Sequence, residues 1–262
     1  MPHLHFSIHD SVAEFTLDHP PQNRIDDQMS EELLAAVGKA EEAGARAILI
    51  HAAGEDFSFG GDIVQWPQLG SGELRARFES YMSAFNRLEQ VPVPVVAAVN
   101  GLCFGGGFEL ALRADVVFAG QSARFGHPEQ SIAIVTLLGG IYRVAARAGR
   151  ARAYEWALTS EQVPAEVMAA AGVINHIVPD TDTVERARSF ARSVASGPTR
   201  AHAAHKALLR LWESGGSRAA DDAMFDIAMP LFGTQDVSTA LPASVEAYLA
   251  GRPRPRFDFQ GR

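Results

Sequence analysis

The sequence is poor in cysteine, in long apolar runs and in net positive charge. Its 262 residues include one cysteine, Cys103, so no intrachain disulfide bond is possible, which is compatible with a reducing, cytoplasmic location. No uninterrupted apolar run approaches the roughly 20 residues that span a membrane, so we expect no membrane partner. The N-terminal stretch MPHLHFSIHDSVAEF lacks the basic and apolar regions of a signal peptide.

The charge balance is acidic, with a formal net charge of −8. A broad nucleic-acid surface needs clustered positive charge, so we expect no nucleic-acid partner. A phosphate-bearing ligand is still compatible with the sequence, because a few arginines and backbone amides can bind one locally. The content of 47% hydrophobic and 21% charged residues is typical of a globular chain, either one large domain or one domain with an appendage.

Strands and helices alternate over the first two thirds of the sequence, and beyond Asp180 the pattern is wholly helical. Breaks in the helical part are expected at Gly197-Pro198 and Gly215-Gly216. This order predicts a βα core with a C-terminal helical extension. We predict strands at 4–8, 12–17, 45–51, 94–99, 114–119, 123–126 and 173–179, and helices at 30–43, 73–89 and 238–249.

A glycine triplet at 105–107 follows the strand predicted at 94–99, and the helical pattern after it contains one acid, Glu109. The surrounding residues fit neither a dinucleotide fingerprint nor a phosphate-binding P-loop. Unpaired backbone amides at such a turn can be approached closely by a ligand and suit a developing oxyanion. A second glycine loop, 59–62, follows an earlier strand. Either the triplet is only a tight structural turn, or amides of the two loops polarise one carbonyl oxygen.

Five segments in order resemble the crotonase superfamily of enoyl-CoA hydratases and isomerases, and the resemblance covers nearly the whole chain. It implies an α/β fold, with a ββα spiral core at 1–195 that carries the active site and a helical trimerisation region at 196–262. It also implies a homotrimer, or a hexamer that is a dimer of trimers. The segments are FSFGGDI, NGLCFGGGFELALRAD, ARFGHPEQSI, LTSEQVPAEVMAAAGVINHIVP and SVEAYLAGRPRPRF.

The resemblance also implies the site residues and the reaction. The oxyanion amides would be those of Gly61 and Gly106, and the catalytic carboxylates would be Glu109 and Glu129, 20 positions apart. The reaction would be the addition of water to a 2-enoyl-CoA thioester through an enolate, with Glu109 activating water and Glu129 protonating the α-carbon. No metal and no cofactor are expected, since coenzyme A is part of the substrate. The implied substrate contacts are Phe59, Asp62, Ile63, Thr136, Leu137 and Leu138.

Other interpretations stay open. The chain could be an isomerase or catalyse other enolate chemistry with Glu129 alone, or be a non-catalytic relative that binds acyl-CoA or a partner. Glu129 follows Pro128 and could simply be an acid in the first turn of a helix. We interpret its neighbour His127 as a packing or hydrogen-bonding residue rather than a base.

The stretch 136–138 departs from the family pattern. The sequence has Thr-Leu-Leu where the family more often has a small or proline-rich run, followed by the expected paired glycines Gly139 and Gly140. The bulkier leucines are expected to narrow the acyl site, re-aim Glu129 or displace the water. Phe59 and Gly61 also differ from the commoner Ala-Gly-Ala loop, but an amide donor needs no side chain.

Overall fold

Two β-sheets organise the chain, and the computed structural model describes all residues from 1 to 262. The strands are β1 Leu4–His9, β2 Val12–Leu17, β3 Ala47–Ala52, β4 Val95–Val99, β5 Leu102–Phe104, β6 Val116–Gly120, β7 Arg124–Gly126, β8 Val163–Pro164 and β9 His176–Val178. The larger sheet has the order β1-β2-β3-β4-β6-β9 and is parallel except for the antiparallel hairpin β1–β2. The smaller sheet has the order β5-β7-β8, with β5 and β7 parallel.

Helices surround these sheets, and short 3₁₀ turns join several of them. The helices are α1 Asp27–Glu42, α2 Ser71–Gln90, α3 Gly106–Ala111, α4 Gly140–Ala148, α5 Arg150–Thr159, α6 Ala165–Ala170, α7 Thr183–Ala195, α8 Thr199–Ala228 and α9 Gln235–Leu249. The 3₁₀ turns are Trp66–Gln68, Glu129–Ile132, Asp180–Asp182 and Met229–Gly233. None of the helices combines the length and the apolar content needed to cross a bilayer.

The centre of the larger sheet is buried on both faces. On β3, Ile48 and Ile50 belong to the main core with α1 and α2, whereas Ala47 and Leu49 face a second core formed with α7. Successive side chains of a strand point to opposite faces, so a strand covered on both sides reads as a continuous apolar run. This explains why AILI in β3 shows no apolar–polar alternation.

The predicted α/β core and helical extension are confirmed, but several boundaries were wrong. Helix α1 begins at Asp27 rather than near Ser30, because Asp26 caps it and accepts a hydrogen bond from Met29 N at 2.9 Å. The closing strand is only His176–Val178. Strands β5 and β8 were missed, since runs of three and two residues are too short to show a period.

The C-terminal helices are interrupted at both of the predicted glycine positions. Gly197-Pro198 separates α7 from α8, as predicted. Gly215-Gly216 interrupts the helical backbone as well: Gly216 has a φ of 71°, in the left-handed region, and helical residues continue beyond this kink to Ala228. Both α8 and α9 carry large apolar side chains that are exposed in the single chain, among them Trp212, Phe225 and Tyr248.

Parallel pairing brings the functional loops together. Strands β3 and β4 are neighbours, so the loop after β3, which contains Gly61, lies beside the segment after β4 that forms β5. Strands β5 and β7 are also parallel neighbours, with Phe104 paired to Gly126. The segments that follow them carry Glu109 and Glu129. The fold therefore gathers three distant stretches of sequence at the carboxyl ends of its strands.

Candidate active site

A cavity of about 210 Å³ opens where these loops meet. Its walls are mostly apolar, and the two carboxyl groups Glu109 and Glu129 face the same space. Eight of the ten residues predicted from the sequence line it: Phe59, Gly61, Ile63, Gly106, Glu109, Glu129, Leu137 and Leu138.

The two other predicted contacts, Asp62 and Thr136, are not part of the cavity wall. Asp62 Oδ1 accepts a hydrogen bond from Val64 N at 3.2 Å. Thr136 Oγ1 accepts one from Ile141 N, also at 3.2 Å. Both side chains are engaged in closing local turns, which short polar side chains commonly do.

Several lining residues were missed by reasoning from the sequence. Trp66 lies over Gly61 and packs edge-on against Phe78, with the ring centroids 5.0 Å apart. Phe78 and Tyr81 belong to α2, where the helical spacing of apolar residues reads as ordinary core. Only the long-range packing of α2 against the loops assigns them to the cavity. The missed residues are Arg24, Ile25, Gly60, Trp66, Phe78, Tyr81, Gly105, Pro128, Ser131, Ile132, Ile134 and Val135.

Two backbone amides on the cavity wall, those of Gly61 and Gly106, donate no hydrogen bond within the chain. Gly61 forms a parallel bridge with Ile25: Asp62 N donates to Ile25 O at 2.8 Å, and Ile25 N donates to Gly60 O at 2.9 Å. In a parallel bridge of this kind the amide of the bridging residue points to the opposite side. The Gly61 N–H therefore points away from Ile25.

The two amides are close to each other. A Cβ placed on Gly106 would lie 3.6 Å from Gly61 N, and one placed on Gly60 would lie 3.3 Å from Gly106 N. Gly60 also has a φ of 96° and almost no room beside Phe104 O, so a residue with a side chain would be strained there. The glycines thus bring two N–H groups from separate loops close together on the cavity wall.

Glu109 is 2% exposed and is held by the turn that precedes α4. Its Oε1 accepts hydrogen bonds from Leu138 N and Gly140 N, both at 2.8 Å, while its Oε2 accepts none from the chain. Burial raises the pKa of Glu109, and the two amides, which favour the ionised form, oppose that rise. One oxygen is therefore fixed, and the other is free to act on a ligand.

The same turn is held from its other side by a buried arginine. The Arg113 side chain has no exposed surface, and its Nη2 donates to Leu138 O at 2.5 Å. Its Nη1 donates to Asn86 Oδ1 and to Glu89 Oε2, and Arg143 also pairs with Glu89. The backbone of Leu138 is thus fixed through its N–H by Glu109 and through its carbonyl by Arg113.

Glu129 is in a different environment. It lies in the 3₁₀ turn Glu129–Ile132, its side chain is 12% exposed, and its Oε2 is buried with no hydrogen-bond partner. Burial, and then the nearby Glu109 carboxylate, raise the pKa of Glu129 to about 7. Near neutral pH this carboxyl can therefore either give or take a proton.

Together these groups form a coupled acid–base pair beside two free N–H donors. Two interacting carboxyls titrate as a pair, and Glu129, whose buried Oε2 has no hydrogen-bond partner, holds the proton more readily. The geometry fits a reaction in which negative charge develops on a carbonyl oxygen while protons move at neighbouring atoms.

Comparison with known proteins agrees with this geometry. Residues 7–249 match the family model described as enoyl-CoA hydratase/isomerase. The chain is 34% identical to a protein of Rhodobacter capsulatus named as a probable enoyl-CoA hydratase, over 97% of each chain. It is 32% identical to a carnitinyl-CoA dehydratase of Proteus mirabilis, over 79% of this chain and 80% of that one.

The fold is likewise shared with solved structures. An enoyl-CoA hydratase of Bacillus anthracis superimposes with a TM-score of 0.89 at 25% identity, over 99% of this chain and 100% of that one. The similarity therefore includes the two sheets and the C-terminal helices.

The buried arginine gives a first prediction. Arg113→Met removes the donors to Leu138 O and Asn86 Oδ1, so we expect the free energy of unfolding in urea to fall by about 1–3 kcal/mol. The matched control is Arg75→Met, which breaks an exposed ion pair with Glu79 and should cost less than about 0.5 kcal/mol. If the free energy of unfolding fell by the same small amount in both variants, the conclusion that Arg113 fixes the turn at Leu138 would be contradicted.

Proposed function

Because the chain belongs to the enoyl-CoA hydratase/isomerase family, we propose that it is a lyase that adds water across the double bond of a short 2-enoyl-CoA thioester. The observation that carries the proposal is the placement of Glu109, Glu129 and the free amides of Gly61 and Gly106 on one apolar cavity. Two catalytic carboxyls fit hydration, since the reaction needs a base for water and an acid for carbon.

In the proposed reaction, the two glutamates have different tasks. Glu109 takes a proton from water through its free Oε2 while the water oxygen bonds to the β-carbon. The electron pair of the double bond moves toward the thioester oxygen, which becomes an enolate oxygen. Protonated Glu129 then gives its proton to the α-carbon, and the thioester carbonyl re-forms. The pKa of Glu129, raised to about 7, supports its assignment as the acid.

The amides of Gly61 and Gly106 would hold the enolate oxygen. Both glycines line a largely apolar cavity, where a hydrogen bond to a charged oxygen is stronger than in water. Losing one such donor typically lowers the rate about 10²–10³-fold. This chemistry requires no metal and no redox cofactor, and coenzyme A is part of the substrate.

The size of the cavity supports a short acyl group. About 210 Å³ is below the roughly 300–1,000 Å³ that is typical of small-molecule sites. Leu137 and Leu138, from the stretch that departs from the family pattern, both lie in its wall. The carnitinyl-CoA relative and a mevalonyl-coenzyme A hydratase of Beauveria bassiana, 40% identical over 55% of this chain, also have names that describe CoA thioesters.

The proposal is tested with crotonyl-CoA, a four-carbon enoyl-CoA, by following the loss of absorbance of the conjugated thioester. Glu109→Gln and Glu129→Gln should each lower kcat by about 10²–10⁴, because each removes a proton-transfer group without changing its volume. Glu155→Gln, at an exposed position of α5, is the matched control and should keep the wild-type rate.

The same variants separate hydration from isomerisation. An isomerase that uses Glu129 alone would tolerate Glu109→Gln and turn over a 3-enoyl-CoA faster than it hydrates crotonyl-CoA. Full activity of both glutamine variants would refute the hydratase mechanism, and inactivity of the wild-type protein on a panel of enoyl-CoA thioesters would favour a binding role.

The pH dependence follows from the assignment of Glu129 as the acid. With a pKa of about 7, the carboxyl is protonated below that pH and loses its proton above it. We therefore expect kcat/KM for crotonyl-CoA to fall above about pH 7, approaching a tenfold loss for each further pH unit. A profile measured from pH 5 to pH 9 that rises steadily through pH 8 would contradict the assignment.

We also propose a homotrimer, or a hexamer of two trimers, assembled through α8 and α9. Its support is the set of exposed apolar side chains on these helices and the turn between them: Leu209, Trp212, Phe225, Phe232, Leu241, Val245 and Tyr248. Light scattering should give three or six times the chain mass of 28.1 kDa. Phe225→Asp should reduce that mass and Asp222→Asn, on the same helix, should not; a monomeric wild-type protein would refute the assembly.

A further inference from the structure

His127 is a buried ionisable side chain to which the proposed reaction gives no task. It is 2% exposed, and neither of its ring nitrogens has a hydrogen-bond partner. A buried polar atom without a partner is costly, so such atoms are rare unless a function or a ligand accounts for them. His127 does not line the cavity, so direct contact with a substrate does not account for its nitrogens.

The imidazole lies between the two glutamates. Its Nδ1 is 3.8 Å from Glu129 Oε2, which is also buried and without a partner. On the other side, a Cβ added to Gly140 would lie 2.3 Å from His127 Cε1 and 2.9 Å from Glu109 Cγ. The absence of a side chain at residue 140 therefore makes room for the ring, which also packs on Phe108 with centroids 4.9 Å apart.

The surroundings favour one tautomer of this ring. Burial lowers the pKa of His127 to about 4, so the imidazole is neutral near pH 7 and carries a single N–H. A proton on Nε2 would face Gly140 and the methylene groups of Glu109, where no acceptor is available. A proton on Nδ1 points toward the carboxyl group of Glu129. In the Nδ1–H form, the single buried N–H of the ring therefore has an acceptor nearby.

We propose that His127 is a positioning residue, whose Nδ1–H donates a hydrogen bond to Glu129 Oε2 and holds that carboxyl toward the substrate's α-carbon. The proposal deepens the hydratase function and rests on it. The distance of 3.8 Å is longer than that of a formed hydrogen bond. A small rotation of either side chain closes the gap.

Few other charges act on this pair. Glu109 of α3 is the one charged side chain that perturbs the pKa of Glu129. From α4, Gly140 contacts the ring, and Arg143 pairs with Glu89. Helix α5 packs against the 3₁₀ turn, but its ionisable residues are exposed: Arg150, Arg152, Tyr154 and Glu155. Apart from the backbone amide of Glu129 itself, His127 is thus the group placed to stabilise the Glu129 carboxylate.

Two substitutions separate the hydrogen bond from the packing of the ring. His127→Leu keeps a similar volume and removes the donor, whereas His127→Asn places an amide N–H near the position of Nδ1. With crotonyl-CoA, we expect His127→Leu to lower kcat about 10- to 100-fold, as for loss of a hydrogen bond to a charged group. KM should change little, because His127 is outside the cavity wall, and His127→Asn should lose less than tenfold.

The pKa of Glu129 provides a second readout, because it would not change if His127 had only a structural role. A donor to the carboxylate lowers its pKa, so His127→Leu should raise the pKa of Glu129 by about one, a tenfold change in its acid dissociation constant. The upper limb of the kcat/KM profile should move to higher pH by the same amount. Unchanged kcat and pKa in His127→Leu, or equal losses in the leucine and asparagine variants, would overturn the proposal.

Nuclear magnetic resonance keeps the test independent of activity and of how well the variants fold. In the wild-type protein, ¹⁵N shifts of the imidazole should show the Nδ1–H tautomer, and the Nε2–H form would overturn the proposal. The ¹³C titration of the Glu129 carboxyl, assigned by its disappearance in Glu129→Gln, gives the pKa directly. If the wild-type protein hydrates no enoyl-CoA, the proposed function fails, while these two measurements still decide the role of His127.

Discussion

The two hydrogen bonds from Leu138 N and Gly140 N to Glu109 Oε1 are the contacts on which the rest of the site depends. They join α3, which begins beside the paired amides, to the turn before α4, which forms one wall of the cavity. They also oppose the effect of burial on the Glu109 pKa and so favour its charge. Arg113, on the far side of the turn, keeps the amides in place by holding Leu138 O.

The difference between the two glutamates follows from this attachment. Both are removed from water, but Glu109 Oε1 accepts two amide hydrogen bonds at 2.8 Å, whereas Glu129 Oε2 is buried without a partner. The Glu109 carboxylate is nearby, and its negative charge makes a second negative charge on Glu129 less favourable. An acid and a base of the same residue type can thus work at one pH. The two glutamates thus differ because the backbone N–H groups of the turn donate hydrogen bonds to Glu109.

Much of this site could be predicted because its essential groups lie in short local motifs. Gly61, Gly106, Glu109 and Glu129 stand in segments whose strand–turn–helix context is visible in the sequence. The remainder depends on contacts between distant residues. Trp66 reaches Gly61 only through the packing of its loop, and Arg113 meets Leu138 across 25 positions of sequence. The side chains of Asp62 and Thr136 were assigned to substrate, but they close turns in their own segments.

The way in which Glu109 is held has a consequence for how this scaffold can diversify. Its partners in the turn are main-chain N–H groups, which every residue except proline provides. Side chains at 137 and 138 can therefore change the shape of the cavity while Glu109 stays in place. Insertions or deletions between Glu129 and Gly140 would instead move those N–H groups away from the carboxylate. In a lineage that changes substrate, this turn should accept replacements at 137 and 138, keep its glycines at 139 and 140, and rarely change in length.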